Sequence, residues 1–294
     1  MKDDTQLFKE LWDFRDPVAT HDTFIKLLNK IQVDDDPNYY IQLLTQIART
    51  FSLRLIFDKA HEFLDKVFEL LNTYPAEDLT IAWIRYYLEL GRTHNSNNEK
   101  EQARKYFLNA WELAKDNNVD GYAVDAAHMM GIAEVPENQL EWNMKAIKFA
   151  EQSDSDSAKG WLGPLYNNTG WSYHDLGEYQ KAMDLFKASL QWREDKKDLN
   201  GTLIAKWTIA RTYRSMQDIN KALELQLELK LEREQHGLMG DGYNFEEIAE
   251  CYLLKGEDEL AKKYFKRAFE LLSNDPWLVK NENTRLDRLK TLSL

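Results

Sequence analysis

Between Leu165 and Arg193 the chain reads LYNNTGWSYHDLGEYQKAMDLFKASLQWR. Apolar and small residues recur there at steps of three and four on both sides of Leu176-Gly177-Glu178, which is the spacing of one face of an α-helix. The segment therefore predicts two amphipathic helices joined by a turn. Small side chains at Gly170 and Ala182 let the two helices come close, and Tyr173, Tyr179 and Phe186 fill the space left between them. Such a hairpin cannot bury its apolar stripe alone, so it has to stack on neighbours.

The same pattern slides along the chain. With Gly170 as position 8 of a unit, Ala182 is position 20 and Phe186 position 24. Ala210, Tyr213, Ala222 and Gln226 occupy the corresponding places in the next unit, and Ala249, Tyr252, Gly256, Ala261, Phe265 and Ala268 in the one after. Upstream, Gly91, Ala103, Phe107 and Ala110 align without a gap, with His94 where a tyrosine is usual, and Ala48, Phe51, Phe57, Ala60 and Leu64 define an earlier unit. A unit around His128 carries Leu140, Met144 and Ile147 in its second helix, with Pro136 breaking the chain between the two helices. At the amino terminus Leu7, Phe8, Leu11, Trp12 and Phe14 form one apolar stripe and Phe24, Leu27, Leu28 and Ile31 another, divided at Asp16-Pro17.

These units resemble the tetratricopeptide repeat (TPR), whose signature carries small and aromatic residues as at Gly170, Tyr173, Gly177, Tyr179, Ala182 and Phe186. Position 8 falls at residues 48, 91, 128, 170, 210 and 249, in steps of 43, 37, 42, 40 and 39. These steps exceed the ~34 residues of a standard repeat. In length they are similar to the repeats of kinesin light chains and of Rap-type peptide receptors. The resemblance implies an all-α solenoid, a right-handed superhelix of about seven hairpins in one domain over residues 1–294. The expected hairpins span 5–31, 38–72, 78–116, 120–152, 159–196, 199–236 and 240–273, with a cap over 275–294.

Positions 2, 5, 9 and 12 of each first helix lie on one stripe away from the packed side, and the resemblance implies that this stripe lines a concave groove. Position 9 is arginine in Arg49, Arg92 and Arg211, and Arg85 and Arg214 add two more, against the acids Asp125, Glu246 and Glu250. A guanidinium presents a planar fork of donors suited to carboxylates, so the groove is expected to favour an anionic ligand. Pairing of these arginines with acids on adjacent hairpins is the competing explanation. Asn95, Asn167, Trp171, His174 and Trp207 share the stripe, the tryptophans as flat apolar anchors. His174 beside Asp175 reads as an oriented imidazole or as a helix end bonded to its turn. The family's carboxylate clamp uses lysine and asparagine; Asn167 and Asn168 match part of it, but the lysines are missing from the corresponding positions.

Composition narrows the possibilities. With 38 basic and 50 acidic side chains the net charge is −12, the wrong sign for a general phosphate-binding surface, so nucleic acid is not an expected ligand. The single cysteine, Cys251, cannot form an internal disulfide and reads as a buried thiol in a cytoplasmic protein. No apolar run approaches the ~18 residues of a membrane span. The six histidines form neither HExxH nor a zinc pattern, and the glycines of Gly237 to Gly242 lack the order of a dinucleotide loop and read as a turn between repeats. No cofactor, metal or catalytic group is expected. The expected function is a scaffold that binds an acidic peptide or protein. A regulatory receptor for a small anionic ligand or signalling peptide is the alternative, followed by an enzyme with a cleft assembled from separate repeats. Partner identity and oligomeric state stay open.

Overall fold

The computed structural model describes residues 8–75 and 79–294, which are helical with no strand among them. The chain divides into two compact units, Met1–Leu165 and Tyr166–Leu294. In the first, a 3-10 turn at Lys9–Leu11 precedes α1 (Pro17–Leu28), α2 (Pro37–Leu53), α3 (Phe57–Thr73), α4 (Thr80–Ser96), α5 (Lys100–Asp116), α6 (Asp120–Ala133), α7 (Pro136–Gln152) and the short α8 (Asp156–Lys159). The division falls within α9 (Leu162–Asp175). The second unit continues with α10 (Tyr179–Asp195), α11 (Leu199–Ser215), α12 (Ile219–Gln235), α13 (Gly242–Leu254), α14 (Asp258–Leu272), α15 (Pro276–Asn281) and α16 (Asn283–Leu292). None of the described helices is long and apolar enough to cross a membrane.

The long period has a simple cause. Helices α2 to α5 and α10 to α12 are 17 residues each, and three-residue turns join most partners, so a hairpin and its connections repeat about every 40 residues. The middle residue of these turns is left-handed: Gly177 and Gly256 adopt φ of 76° and 74°, but Leu55, Asn98, Asn118, Lys197 and Gln217 do so as well, at 59°, 63°, 56°, 56° and 65°. The helix starts are capped locally. Asp16, Asp36, Asp198 and Asp218 each accept a hydrogen bond from the backbone N–H three residues on, at 2.9, 2.9, 3.0 and 3.2 Å.

Position 8 meets position 24 at the closest approach of the two helices. A Cβ added to Gly91 or to Gly170 would lie 2.5 Å from Cε1 of Phe107 or Phe186, and both rings are fully buried. The α6–α7 hairpin departs from the sequence expectation. There the close approach is between Gly131 and Asn143, whereas Met144 is exposed. Helix α6 has 14 residues and the turn before Pro136 has two, so this hairpin lacks about one helical turn and a register slid through it lands three residues early at His128. With Gly131 in place, position 8 recurs at 48, 91, 131, 170, 210 and 249, in steps of 43, 40, 39, 40 and 39.

The ends differ from the middle. Leu7 lies outside the described residues, and the segment from Phe8 to Phe14 holds one 3-10 turn rather than a full helix. Phe8 is buried with its ring 6.0 Å from Phe24 and 5.4 Å from Tyr39, whereas Phe14 and Leu11 are exposed. At the other end the expected cap is two helices. Asp275 caps α15 by accepting from the N–H groups of Trp277 and Leu278, and Leu278, Leu286 and Leu289 close the core beneath α14.

Two predictions come from this packing. Gly170→Ala forces a Cβ into the Phe186 ring, which costs about 1–3 kcal/mol and outweighs the ~1 kcal/mol gain in helix propensity; Tm falls by a few degrees, and Phe186→Leu in the same chain recovers part of the loss. A double variant that loses the full sum shows that the contact is not the cause. Leu55→Gly relieves a left-handed leucine, a conformation costing roughly 1–2 kcal/mol, at a side chain that buries little; Tm rises, and by more than for Asn98→Gly, since asparagine tolerates that region. Equal or negative shifts in thermal denaturation contradict this.

Candidate functional site

In the first unit, Arg85, Leu88, Glu89 and Arg92 on α4 fall on one face at steps of three and four residues. With Arg49 of α2 and Asp125 of α6 they line a pocket of about 420 Å³ whose remaining walls include Phe8, Trp12, Phe14, Tyr122 and Trp161. Glu89 is the hub. It accepts from Arg49 Nη1 at 3.0 Å and from Arg92 Nη1 at 2.6 Å, and Arg92 Nη2 reaches both oxygens of Asp125 at 2.5 and 2.6 Å. Aromatic faces flank the guanidinium groups: Arg85 lies 5.2 Å from the ring centres of both Phe8 and Tyr122, and Arg49 lies 5.6 Å from Phe14. Burial pulls the Arg49 pKa down, with Glu89 opposing it. At Arg92 burial also pulls down, but Asp125 and then Glu89 outweigh it and the value is raised. Both groups stay protonated, and both are bonded by carboxylates of this wall.

The second unit holds a separate pocket of about 510 Å³, lined by Trp171, Trp207, Arg211, Arg214, Glu246, Glu247, Glu250, Arg285 and Arg288. Trp207, Arg211 and Arg214 share one face of α11, and the three glutamates share one face of α13. Glu247 is bonded by two arginines: Arg211 Nε lies 2.9 Å from Oε1, and Arg214 donates from Nε and Nη2 at 2.7 and 2.9 Å. From α16, Arg285 donates to Glu246 through Nε at 3.0 Å and also bonds Glu282, while Arg288 bonds Glu250. The rings of Trp171 and Trp207 are 6.0 Å apart, and Trp207 Nε1 donates to the Tyr243 carbonyl at 3.3 Å.

The structure thus brings Arg49, Arg85 and Arg92 together in one pocket and Trp171, Trp207, Arg211 and Arg214 in the other. Asn95, Asn167 and His174 line neither. Asn95 accepts from Lys100 Nζ at 2.7 Å, and Asn167 donates to Asn168 at 3.2 Å. His174 bonds Ser215 through Nε2 at 2.9 Å, and its pKa is lowered by burial and then by the charge of Arg211. Sequence reasoning missed Glu89 and Glu247, both at position 6, because it looked at positions 2, 5, 9 and 12 alone. The signal was present: each carboxylate follows a position-9 arginine by roughly one repeat, as in Arg49 to Glu89 and Arg211 to Glu247. Arg285 and Arg288 were hidden in a segment read only as a cap. Among the described residues no group of three or more His, Cys, Asp or Glu is placed to hold a metal ion. Cys251 is fully buried, and burial, followed by Glu247, pushes its thiol up to about 12.

Two outcomes are expected from these contacts. Glu89→Ala leaves the partly buried Arg49 without its carboxylate and Arg92 with Asp125 alone, and lowers stability by about 3–5 kcal/mol, whereas Glu62→Ala, which breaks the exposed pair with Lys59, changes it by less than ~1 kcal/mol; urea titrations giving equal midpoints refute the distinction. Cys251 stays unmodified by iodoacetamide in the native protein at mildly alkaline pH and reacts once urea unfolds the chain. Rapid native labelling contradicts its burial.

Comparison with known proteins fits this geometry. The tetratricopeptide repeat model matches residues 84–117, 163–196 and 245–274, which are the α4–α5, α9–α10 and α13–α14 hairpins, each with phenylalanine at position 24. No curated protein matches the chain in sequence. Among solved structures, the apo form of RapI superposes with a TM-score of 0.72 at 12% identity, covering 94% of this chain and 77% of RapI. A signal-transduction ATPase with a tetratricopeptide repeat sensor, from Pyrococcus horikoshii, gives 0.72 at 17% identity over 96% of this chain, which spans 44% of that protein. NprR in complex with its cognate peptide NprX gives 0.53 at 15% identity, covering 99% of this chain and 84% of NprR. Identities this low speak to the fold alone. Three hairpins of the chain match the tetratricopeptide repeat model, and the chain as a whole shares the helical-hairpin repeat fold of these structures, with a repeat of about 40 residues.

Proposed function

We propose that the protein is a non-catalytic scaffold that binds a segment of another protein, preferring one that carries acidic side chains. The observation that carries this reading is the same in both units: guanidinium groups and aromatic rings from successive first helices meet on the wall of one open pocket. Rings supply area at low entropic cost, and arginine forks recognise carboxylates. The NprR structure, solved with its cognate peptide, supports peptide capture as a use of this fold. Binding on this reading is reversible, with no covalent step.

A receptor for a small anionic molecule is the second reading, favoured by pockets of about 420 and 510 Å³, within the range that small ligands fill. Mass spectrometry of the denatured, freshly purified protein separates the two: a retained small anion supports the second reading, and its absence the first.

The peptide reading is tested by titrating a peptide library of acidic, neutral and basic members. Acidic peptides bind best, and their affinity falls with added salt as the screening length shrinks from ~10 Å at 0.1 M to ~3 Å at 1 M. A preference for basic peptides, or binding by none, overturns it.

A further inference from the structure

Within the second pocket the carboxylates are shared unevenly. In the first unit the carboxylates of Glu89 and Asp125 serve the guanidinium groups of Arg49 and Arg92, and Arg85 lines the same pocket against the rings of Phe8 and Tyr122. In the second, Arg285 is held by Glu246 and Glu282, and Arg288 by Glu250. Arg211 and Arg214 are left to share the single carboxylate of Glu247. Guanidinium groups keep their protons throughout the physiological range; four of them meet four carboxylates here, but Arg211 and Arg214 have one bonded carboxylate between them while Arg285 has two.

The surroundings agree. Arg211 reaches beyond Glu247 to a hydroxyl, donating from Nη1 to Ser215 Oγ at 3.1 Å, and that hydroxyl is bonded in turn by His174 Nε2. The His174 imidazole is displaced downward by burial first and by the Arg211 charge second, with Asp175 and Glu247 opposing. Trp171 and Trp207 stand beside the pair, one helical turn from Arg211 on α11 in the case of Trp207, and both line the same pocket.

We infer that Arg211 and Arg214 form the carboxylate subsite of the second unit's pocket, with Trp171 and Trp207 receiving the apolar or aromatic side chain next to that carboxylate. This deepens the peptide-binding reading and rests on it. The group recognised is a carboxylate adjoining a ring or aliphatic side chain. It comes from an internal acidic residue or from a peptide's free C-terminus, and the chemistry is shared. Glu247 is the positioning residue: it holds the two forks side by side as the one carboxylate bonded to both.

The test uses the full-length chain and three synthetic peptides with the same glycine spacers. One carries phenylalanine followed by aspartate and is blocked at both ends. The second replaces that aspartate by asparagine. The third ends in phenylalanine with a free carboxylate. Arginine Nε–Hε signals in nitrogen-15 spectra locate binding, and titration gives the affinity. The aspartate peptide or the free-acid peptide shifts the Arg211 and Arg214 signals, and which of them does so identifies the carboxylate source; the asparagine peptide does not shift them. Arg211→Gln leaves Glu247 paired with Arg214, so the fold is kept, and it weakens binding about tenfold or more, the loss of a charge-assisted contact. Glu247→Gln raises the local positive charge and strengthens binding, an effect opposite in sign that a purely structural role would not produce.

Equal weakening by Arg211→Gln and Glu247→Gln overturns the subsite, as does a complete absence of shifts at millimolar peptide. Shifts confined to Arg49 and Arg92 overturn it as well, while leaving peptide binding by the protein intact. Failure of the whole library described above strikes instead at the peptide-binding reading itself.

Discussion

The structure depends on how closely the two helices of each hairpin can approach. Where position 8 is glycine, the ring opposite it lies against the helix backbone, as with Gly91 and Phe107 and with Gly170 and Phe186. Where it is alanine, the partner at position 24 is Leu64, Gln226 or Phe265, and all three are buried. The contact sets the separation of the two helices, and that separation determines which residues of the first helix remain uncovered. Packing is dense enough that a single methyl group matters, so the close approach and the exposed stripe cannot be varied independently.

What that stripe offers is decided by charge pairing between successive first helices. An arginine cannot shed its proton to accommodate burial, so each one drawn into the wall needs a carboxylate from the neighbouring helix. Glu89 and Glu247 meet this need from equivalent positions in different repeats. Their number matters more than the net charge of −12, because most acidic side chains sit on exposed helix faces where water screens them.

The departures from regularity also have local causes. The α6–α7 hairpin lacks about one helical turn, and the chain compensates by bringing Gly131, rather than His128, to the crossing. After α14 the apolar face is covered by α16, with Leu286 and Leu289 in the core and Arg285 and Arg288 over the glutamates of α13. A repeat unit must bury its open apolar face, and here the covering element also lines a pocket.

Much of the architecture was legible from residue spacing. The three- and four-residue periodicity marked the helices, and small residues marked the crossings at Ala48, Gly91, Gly170, Ala210 and Ala249. The arginine stripe was legible too, because position 9 recurs with the repeat. The left-handed turns at Leu55, Lys197 and Gln217 were not, since nothing in those side chains requires that conformation and the flanking helices impose it. Nor was the missing turn before Pro136, because a periodic pattern tolerates a three-residue slip. Periodicity along the chain thus determined which residues share a helix face. Which carboxylate meets which guanidinium was decided by the stacking of helices about 33 to 40 residues apart, because an ion pair is a fact of distance in space and carries no local signature in the sequence.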